Sequence, residues 1–239
     1  MKSKKSSTKA YDYLEKECLI DILKLKLKES NEALAPDLED LTRLHQLIRS
    51  RECQTVLEFG VGFSSIIIAD ALMKNEGDYL DIESNFVCYK NNSNKYKLFS
   101  VDGSKRWINK TMLSMPNFLK DRVSISYSEV KIGTFNGQLC HHYSDLPNII
   151  ADFIYLDGPH PKQVKGDING LNFSECSERT IMAGDLLLME PTFLPGTFIL
   201  IDGRTNNARF LNNNFMRNYK MIHDKQNDFS SFELIENTL

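Results

Sequence analysis

Val56-Leu57-Glu58-Phe59-Gly60-Val61-Gly62-Phe63-Ser64-Ser65, followed by Ile66-Ile67-Ile68-Ala69-Asp70-Ala71-Leu72, decides the fold. A short apolar strand reaches an acid, two glycines turn the chain, and a serine opens an apolar helix. Glycine lets the backbone turn tightly and approach a ligand, and a helix N-terminus presents unsatisfied N–H groups. Dinucleotide sites use a similar G-x-G-x-x-G turn, but two residues here oppose that reading. Glu58, two residues before the first glycine, would repel a pyrophosphate, and Ser65 occupies the third glycine position. A carboxylate at that place suits a ligand that carries positive charge.

Upstream of this turn, residues 1–9 are polar and lysine-rich and are expected to be disordered. A basic amphipathic helix is expected over 11–28, with Leu14, Cys18, Ile22 and Leu25 on one face. It also carries Glu15, Glu17 and Asp21, which favours packing on the core or on another subunit over a membrane surface. Residues 1–36 thus read as a tail and helix, and residues 37–239 as the main domain. Pro36-Asp37 opens a second helix with Leu38, Leu41, Leu44, Leu47 and Ile48 at core spacing.

Downstream, strands and helices alternate. Strands are expected at 55–59, 96–101, 122–127, 152–156, 197–201, 219–223 and 229–235, and helices at 64–74, 104–113 and 206–214. Residues 76–96 read as a polar, asparagine-rich insertion with a small strand at 79–82. Asn136-Gly137, between 131–135 and 138–143, signals a hairpin. Alternation of this kind argues an α/β fold, a doubly wound parallel sheet with helices on both faces.

Ligands of such sheets sit at the carboxyl ends of the strands, near the switch point. Beyond Glu58, the second strand ends in Phe99-Ser100-Val101-Asp102-Gly103-Ser104. The fourth ends in Tyr155-Leu156-Asp157-Gly158-Pro159-His160-Pro161, and the fifth in Ile199-Leu200-Ile201-Asp202-Gly203-Arg204. An acid and an imidazole three residues apart on a glycine–proline turn point to chemistry more than to packing. Arg204 reads as a bidentate clamp for an anion or as an ordinary ion pair. His141 and His142 fall on opposite faces of a strand, so one ion cannot take both.

Glu58-x-Gly60-x-Gly62 resembles the first motif of the class I S-adenosylmethionine-dependent methyltransferases. The Asp157-Gly158-Pro159-His160 turn resembles the branch of catechol-type and sugar O-methyltransferases. The resemblance implies a mostly parallel, Rossmann-like seven-stranded sheet that ends in a hairpin, its last strand antiparallel, with helices at the N-terminus. It implies cofactor contacts from Glu58, Gly60, Gly62, Phe63, Ser64, Ser65, Asp102, Gly103 and Ser104. A carboxylate accepts both ribose hydroxyls; Asp102 is the favoured candidate, with Asp81 or Glu83 at the usual spacing and a helix-capping role as the alternative. Ser128 or Glu129 would meet the adenine, and Trp107 either packs near it or fills core. Asp157 and Asp202 would bind a magnesium ion, although Gly203 stands where the family usually supplies a second oxygen. His160 would be the general base, Asp157 its catalytic neighbour; capping or acceptor contact are the other roles open to His160. The implied activity is methylation of a hydroxyl on a small-molecule acceptor, a sugar or secondary metabolite.

At 239 residues, with a formal net charge of −3, the chain has no bulk attraction for nucleic acid or anionic membrane. No apolar run reaches membrane-spanning length. The five cysteines are scattered and include no C-x-x-C pair, which reads as reduced thiols in the cytoplasm, with no zinc site. A homo-oligomer through the N-terminal helices fits the amphipathic pattern. Two rival readings stand beside the methyltransferase: a nicotinamide-dependent oxidoreductase, and a non-catalytic methyltransferase-like subunit that binds a partner through the basic helix.

Overall fold

Asp37 starts the first long helix as the sequence suggests, its side chain accepting from the Glu39 N–H at 2.9 Å. The structure, a computed structural model, describes residues 8–29, 35–82 and 94–235. These fall into two compact units, one built from segments within 1–54, 61–98 and 106–124, the other from 55–60, 99–105 and 125–239. The expected disorder of the tail and the rival Glu83 concern residues that lie largely or wholly outside the described ones.

The first unit is helical: α1 (Thr8–Lys16), α2 (Ile20–Glu29), α3 (Leu38–Ser50), α4 (Phe63–Ile82) and most of α5 (Lys105–Ser114). The single helix expected over 11–28 is two helices. Cys18 takes a left-handed φ of 62°, and the Leu19 N–H closes back on the Leu14 carbonyl at 2.8 Å. Leu14 and Leu19 are both fully buried, and an apolar pair across such a turn commonly ends a helix. The helix expected over 64–74 runs on to Ile82, through the stretch expected as insertion and small strand. Its polar residues are anchors: Arg49 binds Asn75 at 2.5 Å and Asp78 at 2.7 Å, and Arg122 pairs with Glu76 at 2.6 Å. A buried polar relay joins α1, α3 and α4. Tyr13 Oη lies 2.7 Å from His45 Nδ1, and His45 Nε2 lies 2.9 Å from Asp70. Lys74 then bridges Asp70 at 2.8 Å and Glu17 at 2.7 Å.

The second unit carries the strands. They are β1 (Thr55–Phe59), β2 (Lys97–Asp102), β3 (Val123–Tyr127), β4 (Val130–Phe135), β5 (Gln138–Tyr143), β6 (Phe153–Leu156), β7 (Val164–Lys165), β8 (Phe198–Asp202), β9 (Tyr219–Asp224) and β10 (Phe229–Leu234). Two helices, α6 (Asp185–Met189) and α7 (Thr205–Asn214), lie among them. The main sheet has seven strands in the order β3-β2-β1-β6-β8-β10-β9. β1, β6 and β8 run parallel, while β10 lies antiparallel between β8 and β9. Phe59 pairs with Leu156 and Leu156 with Ile201, so the carboxyl ends of these three strands are level. β1 and β6 are buried throughout, which is why they read as apolar runs, broken in β1 only by Thr55 and Glu58. Asn136 and Gly137 both take positive φ, 48° and 74°, as a two-residue hairpin requires. The hairpin gains a third strand the sequence does not announce, because β7 pairs parallel to β4. Cys18, Cys53, Cys140 and Cys176 are free thiols, Cys88 lying outside the described residues. Among the described residues no helix is long and apolar enough to cross a membrane.

Candidate active site

The turns after β1 and β6 are locked together by one carbonyl. Phe59 O accepts from Asp157 N at 3.0 Å and Gly158 N at 2.5 Å, while Gly60 N donates to Val101 O at 2.8 Å. Gly60 has φ +99°, and a Cβ there would lie 3.0 Å from the Gly158 nitrogen. A Cβ on Gly158 would lie 2.7 Å from Gly60 Cα and N. Glycine is therefore required where two backbones meet, apart from any ligand. Glu58 is fully buried and accepts from Ser100 Oγ at 2.6 Å. Asp102 Oδ1 accepts from Ser104 N at 2.6 Å, a cap for α5, and from Gln163 Nε2 at 3.3 Å.

In the turn after β6, Asp157 and His160 are both exposed. Arg204, at the end of β8, donates to the Asp157 carbonyl and, at 3.2 Å, to the Pro159 carbonyl. Its guanidinium lies 3.8 Å from the Asp157 carboxylate. The arginine thus braces the turn through backbone oxygens, a use its sequence position does not announce. His160 caps the short turn Pro161–Gln163: Nδ1 accepts from Lys162 N at 3.2 Å, and His160 N donates to Gln163 Oε1 at 2.8 Å. An accepting Nδ1 puts the neutral ring's proton on Nε2. Gln163 connects His160 to Asp102, and its place three residues after a capping residue was legible as a capping box. Asp202 is half-buried and accepts from Tyr155 Oη at 3.4 Å. The magnesium site expected from Asp157 and Asp202 is incomplete. Gly203 adds no side-chain oxygen, and among the described residues no group of three or more His, Cys, Asp or Glu is arranged to hold an ion.

Ser128 is buried with Oγ accepting from Asp145 N at 2.8 Å. Glu129 instead faces Lys165 at 2.7 Å and Lys131 at 3.1 Å, and these ammonium groups pull its pKa down. In the first unit, Gly62 N donates to Ser65 Oγ at 3.1 Å, Ser64 and Ser65 are buried, and a Cβ on Gly62 would meet nothing within 4 Å. Lys26, which no local pattern marks, is buried; it donates to Gly62 O at 2.6 Å and lies 5.0 Å from the Phe63 ring centre. Trp107 lies under the Lys110 ammonium at 5.1 Å.

β5 carries a second buried polar group. The two histidines diverge as alternation requires. His141 is fully buried, and burial, Arg204 and His142 push its pKa down to about 3. His142 is wedged between Gly133 and Gly184, either of which would strike its ring with a Cβ. Its Nε2 is 3.2 Å from Cys140 Sγ, and its Nδ1 is 3.9 Å from Asp185 Oδ1. Burial pushes the Cys140 thiol up to about 12, so it is a hydrogen-bonding thiol and not a nucleophile. Asp185 is pushed up to about 7 by burial, although it accepts from Tyr143 N at 3.0 Å.

No protein-family model and no curated protein matches the sequence. Solved structures do. The cofactor-bound protein Rv0187 from MTB aligns with a TM-score of 0.51 at 11% identity, over 98% of this chain and 100% of its own. The S-adenosylhomocysteine-bound methyltransferase PaMTH1 of Podospora anserina gives a TM-score of 0.51 at 11% identity, over 99% and 100%. Both alignments run the length of the chain. This chain therefore has a Rossmann-like fold shared with that S-adenosylhomocysteine-bound methyltransferase.

Proposed function

We propose that the protein is an S-adenosylmethionine-dependent methyltransferase that modifies a hydroxyl of a small molecule, a sugar or secondary metabolite. One observation carries the reading: Glu58, Asp102 and Asp157 stand at the carboxyl ends of β1, β2 and β6, adjacent strands where the sheet order reverses. A nicotinamide site would place no acid before its glycine turn.

When bound, the cofactor supplies an electrophilic sulfonium methyl. The buried Glu58 carboxylate favours positive charge near the β1 turn, and Asp102 accepts from ribose hydroxyls. Gly60, Gly62, Phe63, Ser64, Ser65, Gly103 and Ser104 complete the proposed cofactor set, with Gly62 leaving room that a side chain would fill. Asp157 orients the acceptor, and His160 takes its proton. The lone pair that takes the proton is on the unprotonated Nδ1, so the Lys162 N–H must release it for that step. Most of the rate gain comes from aligning acceptor and methyl. The donor set does not form a magnesium site, and no step uses one.

Calorimetry with S-adenosylhomocysteine on the full chain tests the reading; retention of NAD in its place would favour the rival. His160→Ala should lower turnover by about 10²–10⁴ with cofactor affinity unchanged. Full activity in that variant would leave the turn a structural cap only.

A further inference from the structure

α2 turns a lysine inward and a leucine outward. Lys26 is 6% exposed, while Leu25 beside it is 60% exposed. Ile20 and Leu23, three residues apart and three before Lys26, are buried, so the lysine continues an apolar face. Lysine is rarely buried, because its ammonium gives up water that the interior must replace. A residue that contradicts its place in this way points to function before fold.

Gly62 O, 2.6 Å from the Lys26 Nζ, and the Phe63 ring, whose centre is 5.0 Å away, belong to the same unit as α2. The fold does not require the ammonium there. Gly62 stands immediately before α4, and the carbonyl of a residue at that place accepts the first bond of the helix. Removing Lys26 Nζ therefore leaves no buried acceptor without a donor. α4 is 20 residues long, and the partial positive charge at its N-terminus opposes a cation. An apolar side chain at position 26 would serve stability as well or better.

We propose that Lys26 is a positioning residue for the cofactor: from α2 it holds the Gly62 carbonyl and the Phe63 ring in the arrangement that receives S-adenosylmethionine. The inference rests on the methyltransferase reading, in which Gly62 and Phe63 belong to the cofactor set. The Gly62 N–H is held separately, by Ser65 Oγ at 3.1 Å. Gly62 is thus tied through its amide from within α4 and through its carbonyl from α2. The ammonium over the Phe63 ring restrains a side chain that is only half-buried. Groups ordered before the ligand arrives cost nothing further to order when it binds.

The test sets calorimetric titration of the full chain with S-adenosylhomocysteine beside thermal melting without it. Lys26→Met keeps an apolar stem and removes the ammonium. Its affinity should fall by about tenfold, while the unliganded protein melts at or above the wild-type temperature. Lys26→Arg, which restores a donor and a cation over the ring, should recover most of that affinity. A merely structural lysine would do the reverse, lowering the melting temperature and leaving the affinity of the folded protein unchanged. In the wild type, hydrogen exchange at the amides of residues 23–29 should slow when S-adenosylhomocysteine binds, which needs no variant to fold. Unchanged affinity in Lys26→Met, or exchange in α2 indifferent to the ligand, overturns the proposal and leaves the methyltransferase reading standing. No binding of S-adenosylhomocysteine to the wild type overturns that reading, and the proposal with it.

Discussion

Asp185 on α6 and His141 on β5 are both buried, and burial drives their pKa values in opposite directions. Asp185 has an ordinary pKa of 3.8 and a folded one of about 7, so the native state holds the proton more tightly. Its contribution is fully present below pH 3.8 and is lost as pH rises towards 7. His141 runs the other way, from 6.5 unfolded to about 3 folded. Its contribution is present above 6.5 and is lost as pH falls towards 3. His142, also lowered by burial, adds to the second slope. Between about pH 4 and 6.5 the two slopes oppose, and the wild-type stability profile should be flatter there than either group alone would make it. Asp185→Asn can still accept from Tyr143 N but removes the falling arm. Its denaturation midpoint should rise more steeply with pH across that window, and parallel profiles for the two proteins would refute the assignment. At this scale the sequence was legible where chemistry is written locally. Glu58, Asp102 and Asp157 stand at strand ends as expected, and His141 and His142 diverge by simple alternation. Lys26 and the Gln163–Asp102 link escaped because the partners, Gly62 and Asp102, are distant in the chain.

Elements were legible where an apolar period or a turn dipeptide is strong, as in β1, β6, β8 and the Asn136-Gly137 hairpin. They were misread where polar residues serve inside a helix. The last two turns of α4 look like an insertion because Asn75, Glu76 and Asp78 are polar, yet each is bonded to a neighbouring element. The Tyr13–His45–Asp70–Lys74–Glu17 relay extends the same principle to helix packing. Asp70 is its hub, nearly fully buried and facing two cation-forming side chains. Asp70→Ala should destabilise the protein by about 3 kcal/mol, since it leaves a buried pair half broken. Tyr13→Phe, which removes one hydrogen bond at the end of the relay, should cost about 1 kcal/mol. Equal effects from the two, measured by denaturant unfolding, would mean that Asp70 is no hub.

At the scale of the molecule, a seven-stranded, mostly parallel sheet ending in an antiparallel hairpin was readable from alternation plus the motif resemblance, while its strand order is seen only in the structure. The three-stranded sheet β5-β4-β7 was not, because a two-residue strand carries no period. A cavity at the start of α7 was equally illegible, because four separate segments of chain, at 161, 177–181, 203–207 and 228, share its lining.

The contact between Gly60 and Gly158 has a consequence for how this chain can vary. Tolerance at a packed position usually declines with side-chain size, so alanine survives where valine does not. Here the limit is crossed by the first carbon, which would sit 2.7 Å from main-chain atoms that cannot swing aside. Gly158→Ala and Gly158→Val should therefore fail alike in thermal melts, a step and not a gradient. Gly62→Ala, whose added methyl meets nothing within 4 Å, should melt with the wild type. Two glycines, one from each turn, would then answer to different constraints, one to the space a ligand needs and the other to the thickness of the backbone itself.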